Sequence, residues 1–441
     1  MEKKYFIVTY GCQMNVHESE KIAGILRSKG YEACSSEEES DIIVFNTCCI
    51  RENAENHAYG NIGALKKLKK NRPGLLIAVG GCMTQQQGAA EKLRKKFPFV
   101  DIVFGTHNLE ELGRLIDLKL GRKKAVVEVA EGKTCVEGED EDKSFRTSYP
   151  NAWVNVMYGC NNFCSYCIVP YVRGRERSRR PEKIVAEVNA LLDAGYKEIT
   201  LLGQNVNSYG NDVRGEFSFP ALLREICKRR EKFRLRFMTS NPKDFGEELV
   251  RAVAENEQIC HLIHLPVQAG SDRILRLMNR KYTAAEYLKK VELLHKYIPD
   301  CQLTSDIMVG FPTETEEDFQ DTLRLVREAG FATAFTFVYS PRSGTAAAAM
   351  DGQISDEVKK DRIMRLVELV NSQTREKSAA YLGKTIEILC EDFDQKKELY
   401  LGRDEYGRMG YFKSGQNLIG KFVKFSVEDA SGVSLFGSLV E

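Results

Sequence analysis

Long hydrophobic runs are missing from this sequence. The longest apolar stretches, such as residues 75–79, are far too short to cross a bilayer, so we expect no membrane partner. The chain begins with charged residues that lead directly into a strand-like run. It lacks the apolar core and small-residue cleavage site of a secretory signal. We therefore expect a cytoplasmic location.

An excess of charge of either sign is also missing. The 64 basic residues nearly balance the 63 acidic ones, and the formal net charge is +1. A nucleic-acid partner therefore does not follow from bulk charge and must rest on local basic patches. Hydrophobic residues make up 43% and charged residues 29%, which is typical of globular proteins. A chain of 441 residues is long enough for two or three domains.

The first part of the sequence alternates strand and helix patterns. Strands are predicted at 4–10, 41–46, 75–79 and 100–104, with helices at 18–29 and 109–120 and others ending near 70 and 96. This order predicts an α/β domain, residues 1–130, with an open, mostly parallel sheet. An acidic run at 137–142 has no apolar periodicity, which predicts a linker over residues 131–148.

The alternation resumes after this linker. Amphipathic helices separate six predicted strands, at 152–157, 198–202, 234–238, 262–266, 303–308 and 334–339. These units predict a partial (β/α)6 barrel in residues 149–377, closed by a long helix at about 356–382. Short β runs separated by glycine and aspartate follow, and they predict a small β-barrel in residues 378–441.

Cysteine is abundant, with 13 in the chain, and three of them form a compact motif. Cys160, Cys164 and Cys167 follow the first predicted barrel strand with the spacing C-x3-C-x2-C, at the end where such barrels place their chemistry. Three thiolates on one loop can hold three irons of a [4Fe–4S] cluster and leave the fourth iron open. A zinc site is disfavoured because zinc usually takes four ligands and no histidine lies near this loop.

The spacing of this motif, with Tyr166 before the third cysteine, resembles the radical S-adenosylmethionine (SAM) superfamily. In that superfamily the open iron binds SAM, and electron transfer cleaves SAM to a carbon radical. The resemblance implies that Tyr166 packs near the SAM adenine. It also implies a SAM site in later segments of the barrel, formed by Gly203, Gln204, Asn205, Ser240, Gly310 and Tyr339.

Three further cysteines each follow a predicted strand of the first domain. Cys12, Cys48 and Cys82 come after the first, second and third strands. Because the carboxyl ends of parallel strands share one edge of a sheet, we expect these thiols to converge there. They predict a second [4Fe–4S] cluster with an open iron that could carry sulfur. Cys49 adjoins Cys48 and is the alternative ligand, whereas the remaining cysteines are predicted to be structural, namely Cys34, Cys135, Cys227, Cys260, Cys301 and Cys390.

These features together resemble the methylthiotransferase family of radical SAM enzymes over essentially the whole chain, including a C-terminal TRAM domain. The resemblance is carried by residues 9–15, 46–52, 81–83, 164–179, 202–209, 264–268 and 335–342. It is strongest with the branch that acts on N6-isopentenyladenosine in tRNA. Three positions depart from the family pattern, namely Cys49, Asn241 and Ala346.

The resemblance implies a reaction, cofactors and partners. One SAM methylates a sulfur on the auxiliary cluster, and a second yields a 5′-deoxyadenosyl radical that abstracts hydrogen from C2 of isopentenyladenosine next to the anticodon. Two [4Fe–4S] clusters and SAM are therefore the expected cofactors. The expected partners are tRNA bearing N6-isopentenyladenosine, a sulfur donor and a one-electron donor such as flavodoxin or ferredoxin, and the protein is expected to be a monomer.

Local basic residues are candidates for tRNA contact. Arg173, Arg175, Arg177 and Arg179 follow the cysteine loop, and arginine suits bidentate phosphate binding. Lysine-rich stretches at 66–72 and 92–96 fit either RNA contact or a solvated helix face. The C-terminal tail is not basic overall, so RNA binding there would need a local face, formed by Lys396, Lys397, Arg403, Arg408 and Lys413.

Other functions stay open at this level. A sister methylthiotransferase would act on threonylcarbamoyladenosine in tRNA or on a ribosomal-protein aspartate, but Gln13, Met14, Asn15 and the Gln204–Asn205 turn favour the isopentenyladenosine type. A non-catalytic RNA-binding iron–sulfur regulator would need no SAM site. In a one-cluster radical enzyme, Cys12, Cys48 and Cys82 would be structural.

Overall fold

A computed structural model describes residues 3–49, 52–130, 144–213, 216–238 and 240–440. The acidic run at 137–142, most of the predicted linker, and Cys135 lie outside these residues. The chain forms two compact units. The first contains Met1–Thr147, Tyr158–Asn161 and Cys167–Lys183, and the second contains Ser148–Met157, Asn162–Tyr166 and Ile184–Glu441.

A parallel six-stranded sheet forms the centre of the first unit. Its strand order is Tyr31–Ala33, Lys3–Thr9, Ile42–Thr47, Leu76–Gly81, Ile102–Phe104 and Val126–Glu128. The two central strands are buried at every position, as their continuous apolar sequence requires when both faces are covered. The predicted open parallel sheet is confirmed. Both outermost strands were missed; each has three residues of which only one is buried, whereas the predicted strand Ile102–Phe104 is buried throughout.

Helices cover both faces of this sheet and bury two separate apolar cores. They comprise Gln13–Ser28, Glu52–Asn71, Cys82–Gln85, Ala89–Lys96 and Leu112–Leu120, with a 3-10 turn at Thr106–Glu111. A further short helix, Val169–Val172, packs in a separate small cluster with Cys49 and Cys82. The first helix begins directly after Cys12, five residues earlier than predicted. Polar residues near its start are buried, namely Asn15, His17 and Glu18, so apolar periodicity alone does not reveal where it starts.

Two parallel three-stranded sheets form the barrel part of the second unit. Their orders are Arg234–Phe237, Glu198–Leu202, Asn151–Asn155 and Leu262–His264, Gln302–Val309, Thr333–Val338. A backbone bridge between Leu235 and Ile259 continues one sheet toward the other. The six predicted strands are all present, and the partial barrel is confirmed.

Helices flank these strands and one large apolar core fills the space between them. The helices are Pro181–Asp193, Phe219–Ile226, Glu247–Ala254, Asp272–Leu277, Ala284–Tyr297, Glu316–Ala329 and Asp356–Ala379. Thr315 and Asp318 form a capping box at the start of Glu316–Ala329, which satisfies two otherwise unpaired N–H groups. Short elements occur at Met157–Tyr158, Arg177–Ser178, Val206–Ser208, Asn211–Val213, Pro242–Asp244 and Ala346–Ala349.

The C-terminal region is a closed five-stranded barrel, as predicted. Its order is Thr385–Asp394, Leu399–Arg403, Met409–Phe412, Ser434–Leu439 and Phe422–Ser431. Two buried arginines of the preceding barrel bind its backbone. Arg234 donates from Nη2 to the Glu387 oxygen at 3.0 Å, and Arg236 donates from Nη1 to the Glu405 oxygen at 2.7 Å. These charge-assisted bonds attach the small barrel to the rest of the second unit.

Candidate active site with two sets of cysteines

Three adjacent strands of the first unit bring Cys12, Cys48 and Cys82 to one edge of the sheet. Cys12 lies between the first strand and its helix, Cys48 follows Ile42–Thr47, and Cys82 begins the short helix after Leu76–Gly81. These strands are direct neighbours in the sheet. Cys48 and Cys82 are each 2% exposed. The convergence expected from the strand order is therefore present in the structure.

A buried polar network holds the three strand ends together. Asn15 donates from Nδ2 to the backbone oxygens of Tyr10 at 2.7 Å and Thr47 at 3.1 Å. Asn46 donates to the Asn15 oxygen at 2.8 Å, and the Thr47 hydroxyl donates to the Gly80 oxygen at 2.6 Å. Each loop that carries a cysteine is thus bonded to the next, which fixes the spacing of the thiols.

Two glycines at this edge have conformations that other residues rarely adopt. Gly11 has a φ of 115°, and a Cβ there would lie 2.6 Å from the Cys48 Cβ. Gly81 has a φ of 102°, and its Cβ would collide with the Thr47 backbone. Glycine is required at both positions because the backbone passes too close to its neighbour for any side chain.

Cys49 lies beside the same thiols, with 1% of its surface exposed. A hydrogen bond from Cys49, with further help from Arg173, lowers the pKa of Cys82 to about 7 despite the opposing effect of burial. The same hydrogen bond, together with burial, raises the pKa of Cys49. Within this pair the hydrogen bond therefore favours the thiolate at Cys82 over the thiolate at Cys49, and thiolates are what iron binds.

Arg173 and Glu18 form a buried ion pair next to these cysteines. Arg173 is 6% exposed and donates from Nη2 to Glu18 Oε2 at 3.1 Å and to Asn15 Oδ1 at 3.0 Å. Burial opposes the charge of Arg173, but Cys82 and Glu18 raise its pKa well above the usual value. Burial raises the pKa of Cys12, and Arg173 acts against that shift.

The thiols do not form a site for a single ion. In the described part of the chain, no three His, Cys, Asp or Glu side chains are arranged to hold one metal ion. In a [4Fe–4S] cluster each cysteine binds a different iron, so the thiolates surround a bulky group and do not meet at one point. Three thiols at one sheet edge, of which Cys48 and Cys82 are buried and Cys12 is partly exposed, fit such a group, with Arg173 nearby.

The second set of cysteines lies on one short segment whose residues are divided between the units. In the first unit, the Cys160 N–H donates to the Gly174 oxygen at 3.1 Å. In the second unit, Arg280 donates from Nη1 to Cys164 Sγ at 3.4 Å. Asn279 Nδ2 donates to the Phe163 oxygen at 2.9 Å, and the Ser165 N–H donates to the Met278 oxygen at 3.0 Å.

Residues 277–280 therefore hold the middle of the cysteine motif, which the sequence did not indicate. Burial opposes the charge of Arg280, but Tyr282, Tyr166 and Cys164 raise its pKa well above the usual value. Arg280 therefore places a permanent positive charge 3.4 Å from the Cys164 sulfur. An arginine after a helix is common in any sequence, so only its spatial position distinguishes Arg280.

All seven residues predicted to bind SAM belong to the second unit, namely Tyr166, Gly203, Gln204, Asn205, Ser240, Gly310 and Tyr339. Three of them have buried polar atoms without a hydrogen-bond partner among the described residues: Asn205 Oδ1, Ser240 Oγ and Tyr339 Oη. Such atoms are uncommon in native proteins and indicate a missing ligand or water. The donor set fits a polar cofactor such as SAM.

Gly203, Gly310 and Tyr166, which also belong to the residues predicted to bind SAM, each contact neighbouring residues. A Cβ at Gly203 would lie 2.7 Å from the Met157 Cγ, so a side chain there would displace its neighbour. Gly310 has a φ of 73°, and its N–H donates to Glu314 Oε2 at 2.7 Å. Tyr166 is half-buried against the main core.

The arginines after the cysteine loop differ in their exposure. Arg175 is exposed and Arg177 is half-buried, whereas Arg173 and Arg179 are buried. The burial of Arg173 and its pairing with Glu18 argue against the predicted phosphate contact. In the tail, Arg408 is 3% exposed and bonds to Ser378, so a basic RNA face there cannot include it.

No helix within the described ranges is both long enough and apolar enough to cross a membrane.

In comparisons with known proteins, each of three regions of the chain matches a different protein family or domain. Residues 4–105 match an uncharacterized protein family, UPF0004, residues 154–326 match the Radical SAM superfamily, and residues 379–440 match the TRAM domain. Among solved structures, a radical S-adenosylmethionine methyltransferase, TsrM, from Kitasatospora setae has a TM-score of 0.58. It shares 15% identity over 79% of this chain and 74% of that chain, which shows a similar fold.

Two of the most similar relatives match over nearly their whole length. A tRNA-2-methylthio-N(6)-dimethylallyladenosine synthase from Caldicellulosiruptor saccharolyticus is 50% identical, over 99% of this chain and 93% of its own. One of the same name from Clostridium perfringens is 49% identical, over 100% of this chain and 99% of its own. The resemblance inferred from the sequence is confirmed, and the chain belongs to the family of tRNA-2-methylthio-N6-dimethylallyladenosine synthases.

Proposed function

We propose that this chain is a radical SAM enzyme that converts N6-isopentenyladenosine next to the anticodon of tRNA to its 2-methylthio derivative. The observation that carries this proposal is the identity of about half of all residues with synthases of that name over nearly the whole chain. Both sets of cysteines lie inside the matched region. The C2–H bond of adenine is too weakly acidic for a general base, so its replacement requires radical chemistry.

The cofactors are SAM and [4Fe–4S] clusters. When bound, they supply electrons, a methyl group and a carbon radical. We propose that Cys160, Cys164 and Cys167 hold one cluster, because their spacing matches the superfamily motif. The auxiliary cluster is assigned to Cys12, Cys48 and Cys82, because these thiols share one sheet edge and their loops are bonded to one another.

The chain orients SAM through polar atoms that other residues leave unsatisfied. Asn205, Ser240 and Tyr339 each offer one buried oxygen to a ligand. One hydrogen bond contributes about 0.5–1.5 kcal/mol, so Ser240→Ala should weaken SAM binding by roughly 2- to 10-fold. Equilibrium dialysis with the reconstituted protein measures this change. Ser414→Ala, on an exposed turn of the small barrel, is the matched control.

The substrate is a tRNA. Phosphate contacts are assigned to Arg175 and Arg177, which are the more accessible of the four predicted arginines, with Arg179 as a buried support. Each round of the reaction consumes electrons and sulfur, so a one-electron donor such as flavodoxin or ferredoxin and a separate sulfur donor complete the system. The monomeric state and the cytoplasmic location stay predictions.

The decisive experiment uses anaerobically reconstituted protein with SAM, a reductant and tRNA that carries isopentenyladenosine without methylthio. Digestion and mass spectrometry of the nucleosides should reveal a gain of one sulfur and one methylene on the prenylated adenosine. Cys12→Ala and Cys164→Ala should abolish this gain, whereas Cys34→Ala, outside both sets, should not. Cleavage of SAM without any gain would move the substrate to one of the sister reactions.

A further inference from the structure

Arg173 lies where two functional segments of the first unit meet. It follows Cys167 closely in sequence. Its guanidinium donates to Asn15, which belongs to the buried polar network that joins the loops of Cys12, Cys48 and Cys82. Its bonds to Glu18 and Asn15 are formed in a buried environment, with Arg173 6% and Glu18 6% exposed. Asn15 is the residue that ties the Cys12 loop to the Cys48 loop.

The backbone on both sides of Arg173 is fixed as well. On one side, the Gly174 oxygen accepts the Cys160 N–H at 3.1 Å. On the other, the Val172 oxygen accepts the Thr106 hydroxyl at 2.5 Å, and the Val172 side chain packs with Cys49 and Cys82. We call Cys12, Cys48 and Cys82 the strand-end cysteines. Through its neighbours Gly174 and Val172, Arg173 therefore connects Cys160, the first cysteine of the C-x3-C-x2-C motif, to the strand-end cysteines.

We propose that Arg173 is a positioning residue that fixes Cys160 relative to the strand-end cysteines and supplies the positive charge of the auxiliary site. This inference rests on the proposed function, because it assumes that Cys12, Cys48 and Cys82 hold a cluster. Arg173 then acts from inside the protein and does not bind tRNA phosphate.

A stabilising role alone does not account for this ion pair. Desolvation of a buried pair usually offsets most of its attraction, so apolar residues of similar size stabilise a fold equally well. A charge beside thiolates has a further effect. A [4Fe–4S] cluster held by three thiolates is anionic and becomes more so on reduction, so a fixed cation nearby favours the reduced form. Glu18, which is bonded to the guanidinium, carries a negative charge and has the opposite effect.

The test uses the opposite signs of these two charges. Arg173→Met should lower the midpoint potential of the auxiliary cluster, Glu18→Gln should raise it, and Arg173→Lys should lie close to the wild type. The measurement is a redox titration followed by electron paramagnetic resonance in the reconstituted full-length protein. Added SAM identifies the signal of the other cluster. Arg27→Met is the matched control, because Arg27 forms an exposed ion pair with Glu32 at the far end of the same helix region.

General disruption of the site would shift the midpoint potentials of Arg173→Met and Glu18→Gln in the same direction, or it would release iron from both variants. Either outcome, or unchanged potentials with both clusters in place, would overturn the electrostatic role. If Arg173→Met fails to retain its cluster, the direction of the shift in Glu18→Gln still decides the sign.

A second readout concerns position. The magnetic interaction between the two reduced clusters, seen as splitting in the electron paramagnetic resonance spectrum, should be weaker or less well defined in Arg173→Met. It should persist in Arg173→Lys. Affinity for tRNA should keep its salt dependence in both variants. A loss of about one unit of salt slope in Arg173→Met would instead assign Arg173 to a phosphate. Product formation by the wild type tests the proposed function separately, since that assay does not depend on Arg173.

Discussion

The two sets of cysteines are built in opposite ways. Cys160, Cys164 and Cys167 share one short segment, so their spacing is a property of the sequence itself. Cys12, Cys48 and Cys82 come from three βα units and meet only because their strands are neighbours in the sheet. The first set, which we call the loop site, needs other residues to hold its loop in position. The second set, which we call the strand-end site, forms only when the whole N-terminal domain is folded.

Because of this difference, different kinds of substitution should disrupt the two sites. A segment held by side-chain bonds, such as those from Asn279 and Arg280, depends on a few contacts of about 0.5–3 kcal/mol each. The strand-end site depends on close backbone approaches at Gly11 and Gly81, which tolerate no added atom. We therefore expect side-chain changes to affect the loop site gradually and backbone changes to affect the strand-end site abruptly.

Removal of one ligand from each set should give the largest and most distinct effects. Cys164→Ala should abolish both SAM cleavage and product, because the proposed function places SAM on the cluster held by Cys160, Cys164 and Cys167. Cys82→Ala should abolish product but leave SAM cleavage to 5′-deoxyadenosine measurable. Chromatography of the reaction mixture quantifies both compounds, and Cys227→Ala, a buried cysteine outside both sets, is the control. Equal loss of SAM cleavage in both variants would mean that the sites are not separable.

Gly81→Ala should have the next largest effect, and only at the strand-end site. The positive φ costs on the order of 1–3 kcal/mol, and the added Cβ also collides with the Thr47 backbone. Iron per chain should fall to about half because one of two clusters is lost. Gly88→Ala is the control, because it has a φ of 70° but no atom within 4 Å of the added Cβ. Equal iron loss in both variants would attribute the effect to strain alone.

The sequence predicted the loop site more completely than the strand-end site. Spacing alone predicted Cys160, Cys164 and Cys167 as one set of ligands, whereas the prediction that Cys12, Cys48 and Cys82 form a second set needed the strand order first. Neither pattern revealed Arg280, Asn279 or the pairing of Arg173 with Glu18, since these partners are distant in sequence. Arg173 was predicted to bind phosphate because charge can be read from a sequence and burial of a charged residue cannot.

Asn279→Gly should weaken the loop site by a moderate amount. Asn279 has a φ of 58°, so glycine removes the side chain without adding strain. Loss of its bonds to the Phe163 and Asn162 oxygens leaves these carbonyls less satisfied, at a cost of about 1–3 kcal/mol. We expect a slower rate of 5′-deoxyadenosine formation with little change at the strand-end cluster.

The control for that change is Asn256→Ala, which removes a comparable bond to the Ala252 oxygen at a helix end of the same unit. A similar decrease in both variants would indicate general destabilisation. Loss of the strand-end cluster in Asn279→Gly would contradict the independence of the two sites.

The smallest expected effect is a shift in the pH at which the strand-end site takes up iron. The Cys49 hydrogen bond is the largest cause that lowers the pKa of Cys82 to about 7. Cys49→Ala removes that bond, so the pKa of Cys82 should rise and less thiolate should exist near neutral pH. Iron uptake should then slow at pH about 7 and recover at pH about 9, where an ordinary thiol is ionised. Cys49→Ser keeps a donor and should resemble the wild type, and the loop site should be unchanged in both. An unshifted profile in Cys49→Ala would remove Cys49 from this role, whereas loss of iron at every pH in both variants would make Cys49 a ligand in place of Cys48.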